Sequence, residues 1–333
     1  MEEADLLVAV GTRFVCQSDS SRTGYPHVRR VIDINTDAHD VMHYGRTIAL
    51  LGDAAPTLRR LTEELRRRRD CGRGGDSERR RDDGRDGDSE WLRVCATRRA
   101  EWEDYKAERY AAPSLHDDAW ESPVLTQPAA IKTATDWARA RDAVTFFDAG
   151  DVQANGFQIV EDDRPGRTFT ETGASYMGFG VSALLATALA SRPFYGLAVT
   201  GDGSFTMNPQ ILIDGVAHGA RGCILLLDNR RMGAISGLQE AQYGADYATH
   251  DLVKVDYAAW ARAVEGVVAI GDVRSLDGLT AALDRARAYE GLSLIHVPVY
   301  YGPDPLGGLG AFGRWNVGNW VEETQALRHE IGL

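Results

Sequence analysis

Lysine is almost absent from this 333-residue chain: of 37 basic residues only three, Lys106, Lys132 and Lys254, are not arginine. With the abundant alanine and glycine, that points to GC-rich coding rather than to any feature of the fold. Cysteine is scarce too. Cys16, Cys71, Cys95 and Cys223 stand far apart without CxxC spacing, which argues against zinc and a disulfide framework and for a reducing cytoplasm. Long apolar runs are lacking: no window approaches the roughly 18 uncharged residues of a membrane span. The opening MEEADLLVAVGTRF is acidic where a secretory leader is basic. Positive charge is also short, since 49 acids leave a net charge of −12, the opposite of a nucleic-acid-binding surface. The expectation is a cytoplasmic protein that binds neither nucleic acid nor membrane. What remains, 44% hydrophobic and 26% charged, is an ordinary globular composition with room for two or three domains.

Along the chain, residues 1–65 read as part of a Rossmann-like domain. Asp5–Val10 and Arg30–Ile34 are apolar runs suited to strands buried on both faces of a parallel sheet, and Ile48–Leu51 is a third, shorter one. Leu58, Leu61 and Leu65 then share one helical face. Residues 66–90 carry nine arginines and eight acids with almost nothing apolar, so this tract reads as a disordered, mixed-sign linker. From 91 to 333 a helical stretch (Trp91–Tyr110) and a turn and helix (Pro123–Ala140) lead into alternating elements. The strands are Ala143–Phe147, Phe194–Val199, Cys223–Asp228, Val267–Ile270 and Ser293–Val297. The helices between them are Tyr176–Ala190, Pro209–His218, Tyr257–Val264 and Leu276–Tyr289. The fold class is α/β, a parallel sheet flanked by helices, and such sheets bind ligands beyond the carboxyl ends of their strands.

Three strand ends carry the chemistry. Asp148-Ala149-Gly150-Asp151 follows the first strand of this domain and Gly201-Asp202-Gly203-Ser204 the second. Asp228-Asn229-Arg230-Arg231-Met232-Gly233-Ala234 follows the third. Glycines let backbone N–H groups approach an anion, and a following helix start favours one. An aspartate between two glycines would repel a phosphate unless a cation, usually Mg²⁺, lay between them, and Asn229 could supply a second oxygen. GDG alone reads first as a turn with a helix cap, and only second as a metal site. An asparagine 27 residues on, at a buried strand end, makes the pattern far more specific.

Gly201-Asp202-Gly203 through Asp228-Asn229 resembles the thiamin diphosphate fingerprint of the acetolactate synthase and pyruvate decarboxylase superfamily. The resemblance covers the diphosphate-binding (PP) domain and, in residues 1–65, half of the central domain. It implies thiamin diphosphate and Mg²⁺ as cofactors, with Asp202, the Asn229 side chain and the Arg231 carbonyl as metal ligands. It also implies a diphosphate loop at Asp148, Ala149, Gly150 and Asp151, and further contacts from Gly201, Gly203, Ser204, Met232, Gly233 and Ala234. Glu171–Gly180 is similar to the segment that supports the V-shaped cofactor, placing Ser175, Tyr176 and Met177 at the site. By itself Met177 reads as a core methionine. Asp228-Asn229 followed by Ile235, Leu238 and Gln239 is similar to trihydroxycyclohexanedione hydrolase, although Arg230-Arg231 replaces the small residues usual there.

The superfamily's activating glutamate sits on a pyrimidine-binding (Pyr) domain, and no residue here takes that role by motif. The expectation is therefore a PP-domain subunit of a split enzyme, in a heteromer such as a dimer of heterodimers, with the glutamate on the partner; the competing explanation is that the true start of the chain lies upstream. Its chemistry would be lyase or transferase: 2-oxo acid decarboxylation with carboligation. The alternatives are hydrolytic opening of a cyclic 1,2-dione, or a catalytically silent cofactor-binding subunit. His250 reads as a surface-loop residue or a pocket-lining shuttle, His218 as a helix-end cation, and His296 as a satisfied core histidine. The tail from Tyr300, with Trp315 and Trp320, reads equally as a cover over the site or a partner-facing patch.

Overall fold

The computed structural model describes residues 3–14, 19, 22–71, 89–300 and 302. They fall into two units divided at Glu101/Trp102. In the first, β1 (Leu6–Val10), β2 (Arg30–Asn35) and β3 (Thr47–Leu51) form a parallel sheet with β2 central. Val31 and Ile34 of β2 are fully buried, and Phe14, Tyr25, Val28 and Tyr44 pack with Val31. The first strand differs from its expectation. Leu6, Val8 and Val10 are 48%, 49% and 41% exposed, because β1 is an edge strand covered on the Ala9 side only. Helix α1 (Ala54–Cys71) runs six residues into the arginine-rich tract, where Glu64 pairs with Arg67 and Arg68 across one turn. Arginine is a good helix former, so charge alone does not end a helix there. Residues 72–88 of the expected linker lie outside the described residues.

Helix α2 (Glu90–Ala111) leads into a short hairpin, β4 (Ser114–Asp117) and β5 (Ser122–Leu125). Then come α3 (Gln127–Ala140), β6 (Val144–Phe147), α4 (Asp151–Ile159) and the edge strand β7 (Thr168–Thr170). After a broken helical stretch follow β8 (Gly196–Gly201), α5 (Asp202–Met207), α6 (Ile211–Ala217), β9 (Gly222–Asp228) and α7 (Gly233–Tyr243). The unit closes with α8 (Tyr257–Arg262), β10 (Val267–Ile270), α9 (Leu276–Ala288) and β11 (Leu292–Pro298). Six strands form one parallel sheet in the order β10-β11-β9-β8-β6-β7.

Alternation along the strands sends side chains to two cores. Leu197, Val199, Leu225, Leu227 and Ile295 pack under α3, α4 and α9, against residues such as Ile131, Trp137 and Leu283. Ala198, Ile224, Leu226 and Leu294 face the other layer, with Leu184, Phe205, Leu212 and Tyr257. Every residue of β9 and β11 is buried, which is why these strands read as unbroken apolar runs.

The helix expected over Tyr176–Ala190 begins only at Phe179 and is divided into Phe179–Ser182, a 3-10 turn at Ala183–Leu185, and Ala186–Leu189. Gly178 stands at φ +91° before it. Ser182 Oγ donates to the Gly178 carbonyl (2.5 Å) and Thr187 Oγ1 to that of Leu184 (2.6 Å), so hydroxyls compete for the ladder's acceptors. None of the described helices is long and apolar enough to cross a membrane.

Candidate functional site

Strands β6, β8 and β9 are immediate neighbours and parallel, so the loops leaving their carboxyl ends meet. Asp148 binds them together. Its fully buried carboxylate accepts hydrogen bonds from the backbone N–H of Ala149 (2.9 Å) and Gly178 (2.7 Å) through Oδ1. Through Oδ2 it accepts from Thr200 Oγ1 (3.0 Å). Burial raises its pKa against these donors. Gly180 passes so close that a Cβ there would lie 2.8 Å from the Asp148 nitrogen. Expected on the cofactor, Asp148 instead lies outside the cavity lining and fixes the loops that form it.

Above these loops is a cavity of about 190 Å³. Ala149, Gly150 and Asp151 line it from β6, and Gly201, Asp202, Gly203 and Ser204 from β8. From β9 come Asn229, Arg231, Met232, Gly233 and Ala234, and from the turn before Phe179 come Ser175 and Met177. Tyr176, expected with them, is 65% exposed and is not part of the lining. Thus residues 27 apart in sequence, Asp202 and Asn229, share one concavity.

Two carboxylates define its electrostatics. Asp202 is 2% exposed, and its Oδ2 has no hydrogen-bond partner among the described residues. Burial, then the neighbouring Asp228 and Asp251 charges, push its pKa well above the ordinary value. Asp151 has an unpartnered Oδ1, while its Oδ2 receives Asn229 Nδ2 at 3.4 Å. Burial carries its pKa up to about 6, with Arg231 and Asn229 opposing. Buried carboxylate oxygens without donors are costly, and a cation bound between Asp202 and Asn229 would remove that cost at Asp202. The donor set of hard oxygens suits such an ion.

Close approaches shape the walls. A Cβ on Gly203 would lie 2.6 Å from Met232 Sδ and 3.6 Å from Met177 Cε, so both methionines rest on the turn containing Asp202. Met177 is therefore part of the pocket wall. A Cβ on Gly233 would overlap the Asp151 carboxylate and lie 2.9 Å from Asn229 Nδ2. Helix α5 spans only six residues, so its dipole adds little, and the capacity for an anion rests on loop N–H groups. Ser175 sits at φ 55° with Oγ donating to Gln153 Oε1 (3.2 Å). Its loop is folded around Glu171, whose carboxylate accepts from the N–H groups of Gly173, Ala174 and Tyr176.

The β9 loop is pinned from outside. Arg230 adopts φ 55°; its carbonyl accepts from Asp251 N (2.8 Å), and Met232 N donates to the Thr249 carbonyl (2.8 Å). His250 bonds Asp246 (2.5 Å) on that outer segment and does not line the cavity, which decides for its surface-loop reading. His296, in β11, is a satisfied core histidine, with Nε2 2.9 Å from Asp228 Oδ2 and the Tyr257 ring edge-on at 5.6 Å. His218 is the exposed C-cap residue of α6. Trp315 and Trp320 lie outside the described residues. Gln127, the first residue of α3, is a lining residue that no motif indicated.

Apart from Gln127, the cavity's lining residues fall within residues 148–297, which match the family described as "Thiamine pyrophosphate enzyme, C-terminal TPP binding domain". That stretch of the chain is thus similar to the cofactor-binding domain of thiamin diphosphate-dependent enzymes. The chain is 27% identical over 317 residues to 3D-(3,5/4)-trihydroxycyclohexane-1,2-dione hydrolase of Shouchella clausii, covering 89% of this chain and 47% of that protein. It is 28% identical over 302 residues to acetolactate synthase isozyme 2 large subunit of Escherichia coli, covering 90% and 48%. The chain thus spans about half the length of these curated relatives. The fold matches a crystal structure of benzoylformate decarboxylase from Polynucleobacter necessarius with a TM-score of 0.62 and 17% identity, over 91% of this chain and 50% of that one. Within the stretch that matches this family, the three loops around Asp148 are the ones expected to hold the cofactor.

Proposed function

We propose that this chain provides the diphosphate- and Mg²⁺-binding half of a thiamin diphosphate-dependent active site that cleaves or forms a C–C bond next to a carbonyl. The observation that carries the reading is the buried, unpartnered Asp202 Oδ2 in the same cavity as Asn229. In this assignment Asp202, Asn229 Oδ1 and the Arg231 carbonyl hold the metal. Arg231 N already donates to Asn229 Oδ1 (3.2 Å), orienting that amide. Backbone N–H groups at Gly150, Gly203, Ser204 and Ala234 receive the diphosphate, and Met177 supports the body of the cofactor. The bound cofactor supplies the nucleophile and electron sink that such carbonyl chemistry requires. The chain's own residues bind it, orient it and present apolar wall at Met177, Met232 and Ile235.

Among the described residues the only carboxylates lining the cavity are Asp151 and Asp202, with no glutamate beside them. The activating glutamate is then supplied by a Pyr domain outside the described residues, and a second polypeptide in a heteromer is the carrier proposed for it. Likeness to the acetolactate synthase subunit favours 2-oxo acid decarboxylation with carboligation. Similarity over 89% of the chain to the dione hydrolase keeps hydrolytic cleavage of a cyclic 1,2-dione as the second reading. Calorimetry with the full chain tests the binding half: thiamin diphosphate should bind in Mg²⁺ and not in EDTA, and Asp202→Ala should remove the metal dependence. Equal affinity with and without metal sinks the assignment. Addition of the Pyr polypeptide should then give CO₂ from a linear 2-oxo acid or ring opening of a cyclic dione; neither product would leave a silent binding subunit.

A further inference from the structure

Four neutral polar side chains line the cavity, and three spend a donor within the protein. Ser175 Oγ donates to Gln153, Ser204 Oγ to the Ala149 carbonyl, and Asn229 Nδ2 to Asp151. The fourth, Gln127, is 9% exposed, and its Nε2 has no protein acceptor among the described residues. Its Oε1 accepts from Asn155 Nδ2 (2.5 Å), and Asn155 Oδ1 accepts from Arg109 Nη2 (3.1 Å). Arg109 and Asn155 are 5% and 3% exposed. A guanidinium can only donate, so it dictates the sense of both amides. Asn155 must turn its oxygen to Arg109 and its nitrogen to Gln127. Gln127 must then turn its oxygen to Asn155, and N–H is all it has left. Arg109 Nη1 is itself anchored on Gln158 Oε1 (2.9 Å), so the relay has a fixed end.

We infer that Gln127 donates a hydrogen bond from Nε2 to an anionic oxygen of the diphosphate held in this cavity, with Asn155 and Arg109 as positioning residues that keep its amide from turning over. The inference rests on the diphosphate reading above. It explains why three polar side chains from α2, α3 and α4 are buried in a line that ends at the cavity and not at solvent. An anion facing Asp151 and Asp202 needs donors as well as a cation, and this relay supplies one that carries no charge.

The test uses inorganic pyrophosphate at saturating Mg²⁺ as the probe, titrated calorimetrically into the full chain. Gln127→Glu keeps the shape but presents an acceptor, and Gln127→Met removes the donor without adding charge; either should weaken binding about tenfold. Asn155→Asp is the sharper variant, since it touches no ligand. Its carboxylate still pairs with Arg109 but now accepts from Gln127 Nε2, so the Gln127 amide turns over and shows its carbonyl to the cavity. Affinity should fall about fivefold or more while the thermal midpoint holds or rises, a combination that a purely structural role does not give. Asn155→Asp and a folded Gln127 variant that bind pyrophosphate like the wild type overturn the inference. Asp202→Ala separates the two levels. If it alone loses Mg²⁺-dependent binding, the cavity reading stands and the relay falls; if it binds unchanged, the cavity reading itself falls.

Discussion

Asp202 is the residue on which the site turns, because a buried carboxylate between two glycines is unfavourable until something positive meets it. Its neighbours respond to the same need. Gly233 has no side chain because the Asp151 carboxylate occupies that space. Gly233→Ala should therefore push Asp151 off Asn229, destabilise the domain by about 1–3 kcal/mol in urea unfolding, and weaken cofactor binding more than it weakens the fold. Glu171 makes a prediction in pH. Desolvation opposes its charge, but backbone N–H groups of Ala174, Gly173, Tyr176 and Ser175 outweigh it and hold the carboxyl below its ordinary value. A depressed acid stabilises its loop above the unfolded pKa and loses that contribution as pH falls through the folded one. The protection factors of the Gly173 and Ala174 N–H groups, taken relative to their intrinsic exchange rates at each pH, should fall on acidification below about pH 4, near the ordinary glutamate pKa. In Glu171→Gln they should already be low at neutral pH. Equal protection in the two proteins would refute the role given to Glu171.

Among the elements, β8 and β9 carry the site because both are buried strands at the centre of the sheet. Leu225 is fully buried in β9, and Leu225→Ala should cost about 2–5 kcal/mol, read as a lower urea midpoint at unchanged slope. Gly156 lets α4 lie on β6: a Cβ there would sit 2.7 Å from the Phe147 ring. Gly156→Ala should displace α4, and with it Asp151 and Asn155, so pyrophosphate affinity and stability should fall together. The same elements show what the sequence could reveal. Runs such as Cys223–Asp228 are legible because a strand buried on both faces needs apolar residues at every position. Helix α4 (DVQANGFQI) carries asparagine and glycine, poor helix formers chosen for the relay and the close packing, so propensity conceals it. The edge strand β7 is three residues long, too short for any period to register.

At the scale of the whole molecule, the cavity draws its lining from three loops that motif spacing could connect, those beginning at Ala149, Gly201 and Asn229. Asp148 and Gln127 escaped for opposite reasons. The first sits within a motif but turns inward to fix backbone, and the second sits in no motif but is carried to the cavity by α3. Contacts across layers, such as Arg109 with Asn155, leave no periodic trace in one sequence. The unit boundary at Glu101/Trp102, inside α2, was likewise unreadable, because the helix continues through it. The Asp202–Asn229 cation assignment is tested most directly by crystals grown with thiamin diphosphate and Mn²⁺ in place of Mg²⁺. An anomalous peak within coordination distance of Asp202 Oδ2 and Asn229 Oδ1, about 2.0–2.2 Å, is the predicted result. An ordered diphosphate with the manganese elsewhere, or with none bound, would contradict it.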